Sequence, residues 1–169
     1  MKENSFEKIE INPAQLAIEK AKSEALSLEE LEAIKDQLDS TLNDFIQSRI
    51  TLEQYERLEE NLASYPGVIK MGSAQMFEEY LRAAKLDEAT VNELVEHEED
   101  HFREIEKAGL KPTYRIEFAK NVGEKFSMYP AVSFDFPDDI EDEEARTLLR
   151  RIISAPSELS ERDKRQLGG

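Results

Sequence analysis

Cysteine and tryptophan are absent from the 169-residue chain, and histidine occurs only twice. The lack of cysteine excludes disulfide frameworks and thiolate metal sites, and it makes a reducing cytoplasm the expected location. Long apolar runs are also lacking. No segment approaches the ~18 apolar residues of a membrane-spanning helix, and no N-terminal stretch is typical of a signal peptide. The sequence therefore predicts a cytoplasmic protein that neither crosses nor enters a membrane.

Acidic residues far outnumber basic ones, 38 against 22, and the formal net charge at pH 7 is −16. This charge keeps the chain in solution and repels phosphate backbones, so we expect no direct binding to nucleic acid. It favours cations or basic proteins as partners. One functional hypothesis is therefore a non-enzymatic acidic protein that binds a basic protein.

Capping signals divide the N-terminal two-thirds of the chain into helices. Asn12 followed by a proline predicts the start of the first helix. Ser27 with Glu30, and Thr51 with Gln54, have the capping-box spacing that starts a helix. Helices are expected over residues 14–26, 27–49, from 51 to a stop at 65–67, from 73 to about 84, and 88–108. We interpret residues 1–26 as an N-terminal arm and helix, and residues 27–169 as a single α+β domain.

After Pro112 the apolar period changes from that of a helix to that of a strand. Two alternating runs follow: Tyr114, Ile116 and Phe118 form the first, and Val132, Phe134 and Phe136 form the second. They predict an antiparallel β-hairpin with one buried face. An acidic segment and a C-terminal helix containing residues 145–153 come next, so the predicted fold class is α+β.

Both histidines lie in the segment His97-Glu98-Glu99-Asp100-His101, which has the pattern H-E-x-x-H. Four residues are about one helical turn, so both imidazoles lie on one face of the predicted helix. On that helix Glu98 falls within an apolar stripe made by Val91, Leu94, Val95, Phe102 and Ile105. A carboxylate on a core-facing stripe is costly unless it is protonated, bound to a metal or paired with a cation. An ion pair with a lysine or arginine is the non-functional interpretation of Glu98.

The five-residue motif resembles that of the zincins, a group of zinc metallopeptidases. The resemblance implies that His97 and His101 bind zinc and that Glu98 is the catalytic general base, which removes a proton from water as the water attacks a carbonyl group. It implies a zinc-dependent hydrolase with a peptide as its substrate. A third ligand is needed, and no histidine follows His101. Carboxylates of the predicted hairpin and the acidic segment are the candidates: Asp135, Asp138, Asp139 and the group at residues 141–144.

A second metal-binding interpretation remains open. Glu98-x-x-His101 is also the Glu-x-x-His ligand pair of ferritin-like di-iron bundles. Those bundles use a second such pair and further glutamates, so a single copy would have to act in a symmetric dimer. The sequence thus leaves three hypotheses: a zinc hydrolase, a ferritin-like metal-binding protein, and an acidic interaction protein.

Overall fold

The computed structural model describes residues 12–121, 123 and 125–168, without the side chains of residues 62 and 63. The predicted docking segment with Phe6, Ile9 and Ile11 lies outside this part of the chain. Over the described residues the helices are α1 (Pro13–Glu24), α2 (Leu28–Ile46), α3 (Leu52–Ala63), α4 (Ala74–Ala83), α5 (Glu88–Lys107), α6 (Asp142–Ile153) and α7 (Glu161–Leu167). The strands are β1 (Leu26–Ser27), β2 (Val68–Met71), β3 (Thr113–Lys120) and β4 (Phe126–Ser133). The predicted α+β fold is confirmed.

The helices begin where the capping signals place them. The Asn12 side chain accepts a hydrogen bond from the backbone N–H of Ala14 at 2.9 Å, and Pro13 is the first residue of α1. Ser27 and Glu30 form the reciprocal bonds of a capping box at the start of α2. Asp87 caps α5 by accepting from the N–H of Thr90, so the motif helix spans nearly the predicted range.

Strand β3 is the centre of a four-stranded mixed sheet. β4 pairs with it antiparallel over residues 113–120, which confirms the predicted hairpin. The opposite edge of β3 is shared by β2, which is antiparallel over residues 114–117, and by the two-residue β1, which is parallel at residues 119–120. Neither β1 nor β2 was expected, because strands this short give no clear alternation in a sequence.

The second strand of the hairpin begins earlier than its apolar pattern predicts. β4 covers residues 126–133, whereas the predicted run reached Phe136. A short loop fixes the register, because Asn121 donates its N–H to the carbonyl oxygen of Lys125 and Gly123 has a φ of 83°. Phe134 and Phe136 therefore lie beyond the sheet, where their rings meet edge to face at 4.9 Å.

Both faces of β3 are buried, and they differ in chemistry. On one face Tyr114, Ile116 and Phe118 pack against α1, α4 and α5 to form the first core. On the other face Arg115 and Glu117 are 7% and 6% exposed and lie against charged side chains from α2 and α7. A second core joins α2, α3 and α6, and its buried members are Leu38, Leu42, Phe45, Ile46, Leu52, Tyr55, Phe136, Ala145, Leu149 and Ile153.

A cavity of about 1020 Å³ lies beside the charged face of β3. Its walls come from α2, α5, β4 and α7, so the H-E-x-x-H segment and the charged strand face share one space. This arrangement places the motif next to a volume that suits a small ligand or several residues of a peptide.

Candidate metal centre

The motif helix α5 presents His97 and His101 to the same space. They are one turn apart, and their ring centroids are 5.2 Å apart with the rings nearly perpendicular. His101 is 8% exposed, whereas the side chain of His97 is 26% exposed. The intervening acidic residues, Glu99 and Asp100, instead pair with Arg103 on the same helix. The two histidines therefore lie on one face of the helix, as predicted, and Glu99 and Asp100 take no part in it.

Asp163 of α7 completes a three-residue group with the two histidines. Its Oδ2 lies 3.2 Å from Nε2 of His97, and its Oδ1 lies 3.4 Å from Nε2 of His101. All the candidate ligand atoms of this group lie within 4.8 Å of one another. We call His97, His101 and Asp163 the triad.

Local structure fixes the position of the Asp163 carboxylate. Ser160 caps α7 by accepting from the N–H of Asp163 at 3.1 Å, and Asp163 Oδ2 accepts from the N–H of Ser160 at 3.0 Å. This capping box holds the carboxylate at the first turn of the helix. Its pattern, a serine followed three residues later by an aspartate, is visible in the sequence, but it was not recognised as the source of a ligand.

None of the acids considered from the sequence belongs to the triad. Asp135 lies on the wall of the cavity but is exposed, and Glu141 is the residue before the first turn of α6. Asp142 and Glu143 pair with Arg146 along the same helix. Those acids follow β4 directly, and because β4 ends at residue 133 the chain runs from there into α6 instead of returning to the histidines.

The tautomer of His101 follows from its second ring nitrogen. Nδ1 of His101 lies 2.8 Å from the carbonyl oxygen of Ile152, in the last turn of α6. Since a carbonyl oxygen only accepts, Nδ1 carries the proton and Nε2 is the nitrogen directed at the triad. The orientation of the ring is thus set by contact with another helix.

Without a metal, the protonated histidines and the Asp163 carboxylate of the triad stabilise one another. The hydrogen bond to Asp163 raises the pKa of His97. For His101, burial lowers the pKa, but the contacts with Asp163 and Glu98 outweigh it, and the pKa is raised overall. Burial alone would raise the pKa of Asp163, yet the hydrogen bonds from both histidines hold it well below its usual range.

The three donors also suit a zinc ion. Zinc takes nitrogen and oxygen ligands at about 2.0–2.2 Å, and a tetrahedral arrangement then separates neighbouring ligand atoms by roughly 3.3–3.5 Å. The nitrogen-to-oxygen distances of 3.2 and 3.4 Å end on different oxygens of Asp163, and all the ligand atoms lie within 4.8 Å of one another, so the three side chains are close enough to share one ion. Two imidazoles, one of them oriented by a backbone carbonyl, and one carboxylate form a donor set that fits zinc.

Glu98 lies between the two histidines in the sequence and lines the same cavity. Glu98 is 8% exposed, and its side chain has no hydrogen bond or ion pair with any other residue in the described part of the chain. Burial raises the pKa of its carboxyl group to about 7, although the nearby histidines act in the opposite direction. The ion pair with a lysine or arginine that would explain a buried glutamate structurally is not observed among the described residues.

Among the described residues no helix has both the length and the apolar character needed to cross a bilayer. No model of a known protein family matches the sequence, and comparison with curated proteins and with solved structures finds no significant similarity.

Proposed function

We propose that this protein is a zinc-dependent hydrolase of the peptidase type, with zinc held by His97, His101 and Asp163. The observation that carries the proposal is the convergence of Asp163 on Nε2 of both histidines beside a buried, unpaired glutamate. The resemblance of residues 97–101 to the zincin motif is separate support, because it depends on residue types and spacing and not on the position of Asp163.

Each member of the triad has a separate role. His97 and His101 offer neutral nitrogen ligands, and Asp163 offers a negative oxygen ligand that offsets part of the charge of a divalent cation. Bound zinc would supply a Lewis acid that polarises a substrate carbonyl group and makes water more acidic. In the neutral ring of His101, the Ile152 carbonyl holds the proton on Nδ1, which leaves Nε2 as the ligand atom directed at the triad.

Glu98 is the proposed general base. With its pKa raised to about 7, the carboxylate accepts a proton from water more readily than an exposed glutamate does. The same group, once protonated, can donate that proton to the nitrogen that leaves when an amide bond breaks. Its burial excludes bulk water, and its lack of a partner among the described residues leaves its oxygens available.

A peptide is the substrate class that the surrounding surface fits. Among the described residues β4 pairs only with β3, so no strand pairs with its other edge there, and residues 129–133 of this strand line the cavity. An extended peptide can add to such an edge through main-chain hydrogen bonds. The cavity then receives side chains next to the triad.

Metal content is the first test of the proposal. Protein purified without a histidine tag is expected to contain about one zinc per chain at neutral pH, as measured by elemental analysis. His97→Ala should lose that zinc. Protein that neither contains zinc nor takes up added zinc would contradict the proposal and favour an acidic protein that binds a basic partner.

Glu98→Gln separates the two metal-dependent hypotheses. If Glu98 is a general base, the variant keeps its zinc and loses hydrolysis of a mixed peptide library. If Glu98 is a ligand of a ferritin-like site, the variant loses metal. Glu96→Gln is the matched control, since Glu96 is exposed on the same helix and its replacement should change neither property. Full hydrolytic activity in Glu98→Gln, whatever its zinc content, would end the zincin interpretation, in which Glu98 is the general base.

A further inference from the structure

Five cationic side chains line the cavity, and three of them are largely buried: Lys35 from α2, Arg115 from β3 and Arg162 from α7. The other two, Lys164 and Arg165, are exposed. Lys35 and Arg115 are each 7% exposed, and the side chain of Arg162 is 19% exposed. Arg162 directly precedes Asp163 in the chain, so one of these cations is adjacent in sequence to a member of the triad. Cations at this depth are costly unless each has an anionic partner.

The anionic partners on this wall are too few. Asp39 binds Arg162 through a hydrogen bond of 2.9 Å and also accepts from Arg165. Lys35 and Arg115 share one carboxylate, that of Glu117, at 4.0 and 2.9 Å respectively, and Arg162 also lies 4.0 Å from it. Three largely buried cations therefore share two buried carboxylates, those of Asp39 and Glu117.

The shared carboxylate does not satisfy the donors. Nε of Arg115 lies 2.9 Å from Oε2 of Glu117 but not at a hydrogen-bonding angle, so this Nε and Oε1 of Glu117 are both buried without a hydrogen-bond partner among the described residues. Lys35 also makes no hydrogen bond there, and its Nζ lies over the ring of Tyr129 at 3.3 Å from the centroid. Glu32, another acid that acts on Lys35, accepts a hydrogen bond from the hydroxyl of Tyr129 at 2.6 Å.

The electrostatic environment of Lys35 agrees with this count. Burial and the neighbouring Arg162 lower the pKa of Lys35 to about 8, even though Glu117, Glu32 and Asp39 act to raise it. An additional negative charge in the cavity would raise the pKa of Lys35 towards its ordinary value and offer its ammonium group an acceptor.

We propose that Arg115 and Lys35 bind a carboxylate group of the peptide substrate, and so select peptides that carry a carboxylate close to the bond that is cleaved. The proposal rests on the hydrolase function proposed above. The planar guanidinium of Arg115 can donate two parallel hydrogen bonds to a carboxylate, and Lys35 adds a point charge. The carboxylate is either the C-terminal group of the peptide or the side chain of an aspartate or glutamate.

The other wall of the cavity limits the charge of the ligand. Glu56 and Glu59 also line the cavity, and burial raises the pKa of both. A ligand with several negative charges meets these acids as well as the two cations. We therefore expect a single carboxylate rather than a phosphate-rich ligand.

Binding to metal-free protein tests this subsite separately from catalysis. The probes are four acetylated tetrapeptides: an apolar one with a free C-terminal carboxylate, the same peptide as its amide, an amidated one with an internal glutamate, and its glutamine counterpart. Calorimetry at pH 7 with a chelator present should show that at least one carboxylate peptide binds roughly 10-fold or more tightly than its neutral match. The preferred pair identifies the source of the carboxylate.

Lys35→Met is the principal variant, because it leaves Arg115 and Glu117 as a balanced pair and so removes charge without stranding a carboxylate. It should reduce the preference for the carboxylate peptide to a few-fold or less, and Arg115→Lys should retain part of it. Arg57→Gln is the control for net charge, since Arg57 is exposed on α3 and does not line the cavity. Its preference should equal that of the wild type.

Equal affinity of wild-type protein for the carboxylate and neutral peptides would overturn the subsite, as would an equal loss in Lys35→Met and Arg57→Gln. Zinc-dependent hydrolysis without a carboxylate preference would refute the subsite alone. A carboxylate preference in protein that binds no zinc would refute the hydrolase and keep the anion-binding cavity.

Discussion

His101 donates its Nδ1–H to the carbonyl oxygen of Ile152, and the two atoms are 2.8 Å apart. This contact joins the motif helix α5 to the end of α6 and commits Nε2 of His101 to the triad. A neutral ring offers a lone pair there for a metal, whereas a protonated ring offers a hydrogen bond to Asp163. A proton and the proposed zinc ion would therefore compete for the same atom.

Replacement of Asp163 tests whether it is a metal ligand. Asp163→Asn removes the negative oxygen but keeps the size of the side chain. Zinc affinity should fall by about 100-fold or more, since loss of even an outer partner of a ligand costs about 10- to 100-fold. Competition with a chromogenic chelator measures the change. Glu161→Gln is the control, because Glu161 is exposed in the first turn of α7, and it should bind zinc as the wild type does. Unchanged zinc affinity in Asp163→Asn would show that Asp163 is not a ligand.

The stability of the metal-free protein should fall as pH rises from 4.5 to above 7. Folding raises the pKa of Glu98 from 4.5 to about 7, and it raises the pKa values of His97 and His101 above 6.5. Each group therefore holds more protons in the folded chain, so its stabilising contribution is complete below its unfolded pKa and is lost as pH passes its folded pKa. Urea unfolding at a series of pH values with a chelator present measures this slope. Asp163, whose pKa is lowered, acts oppositely and only at more acidic pH.

Glu98→Gln should flatten that slope. A shift from 4.5 to about 7 corresponds to on the order of 3 kcal/mol, and glutamine has no proton to lose over this interval. The free energy of unfolding of Glu98→Gln, taken relative to that of the wild type, should therefore rise by this amount between pH 4.5 and pH 8. The free energy of unfolding of Glu96→Gln should follow that of the wild type. With zinc added, the stabilisation by the metal should grow as pH rises, because zinc binds the deprotonated ligands. Parallel curves for Glu98→Gln and the wild type would show that Glu98 is not the buried titrating group.

Asp39 is expected to position the third ligand without touching it. It is 2% exposed and accepts hydrogen bonds from Arg162, Arg165 and Gln166 at 2.9, 3.1 and 2.8 Å, so it fastens α7 to α2. Asp39→Asn should lower the free energy of unfolding by about 3–5 kcal/mol and weaken zinc binding, because Asp163 lies on the same helix.

Hydrogen exchange of the α7 amides, together with zinc competition, checks the role of Asp39. Asp36→Asn is the matched control, an exposed aspartate one turn earlier on α2, and it should leave both properties unchanged. Faster exchange in α7 with unaltered zinc affinity would show that Asp163 keeps its position without this anchor.

Gly67 and Gly72 form a contrasting pair. Gly67 has a φ of +85°, and a Cβ there would lie 3.0 Å from both the Cα of Ala25 and the carbonyl oxygen of Phe118. Gly67→Ala should therefore lower the free energy of unfolding by roughly 2 kcal/mol or more. A Cβ at Gly72 would have no atom within 4 Å, so Gly72→Ala should change the free energy of unfolding by less than about 0.5 kcal/mol. Equal midpoints in urea would contradict this account of the turn before β2.

Local signals predicted the parts of the fold that depend on neighbours in the sequence. The Ser27–Glu30 capping box and the Asp87 cap each join residues three apart, so a single sequence contains both partners. The burial of Glu98 was also predictable, because the helical period of the apolar stripe alone places it inward.

Distant contacts explain what the sequence did not reveal. Asp163 meets His97 only because α7 docks on Asp39, and Asp39 and its partner Arg162 are 123 residues apart in the chain. Charge pairs at that separation leave no periodic trace. The end of β4 was misplaced for a related reason: the aromatic alternation at Phe134 and Phe136 reflects packing at the second core and not a continuing strand.

The contrast between the two faces of β3 also guards against mispairing during folding. A slip of one residue would turn Arg115 and Glu117 towards the aromatic rings around Phe77, and would turn Tyr114 and Ile116 towards the lysine and arginine side chains of α2 and α7. Each stranded charge would cost several kcal/mol, so the misaligned chain gains little from collapse. The charged face of the strand therefore favours the native register of the hairpin during folding, independently of any ligand.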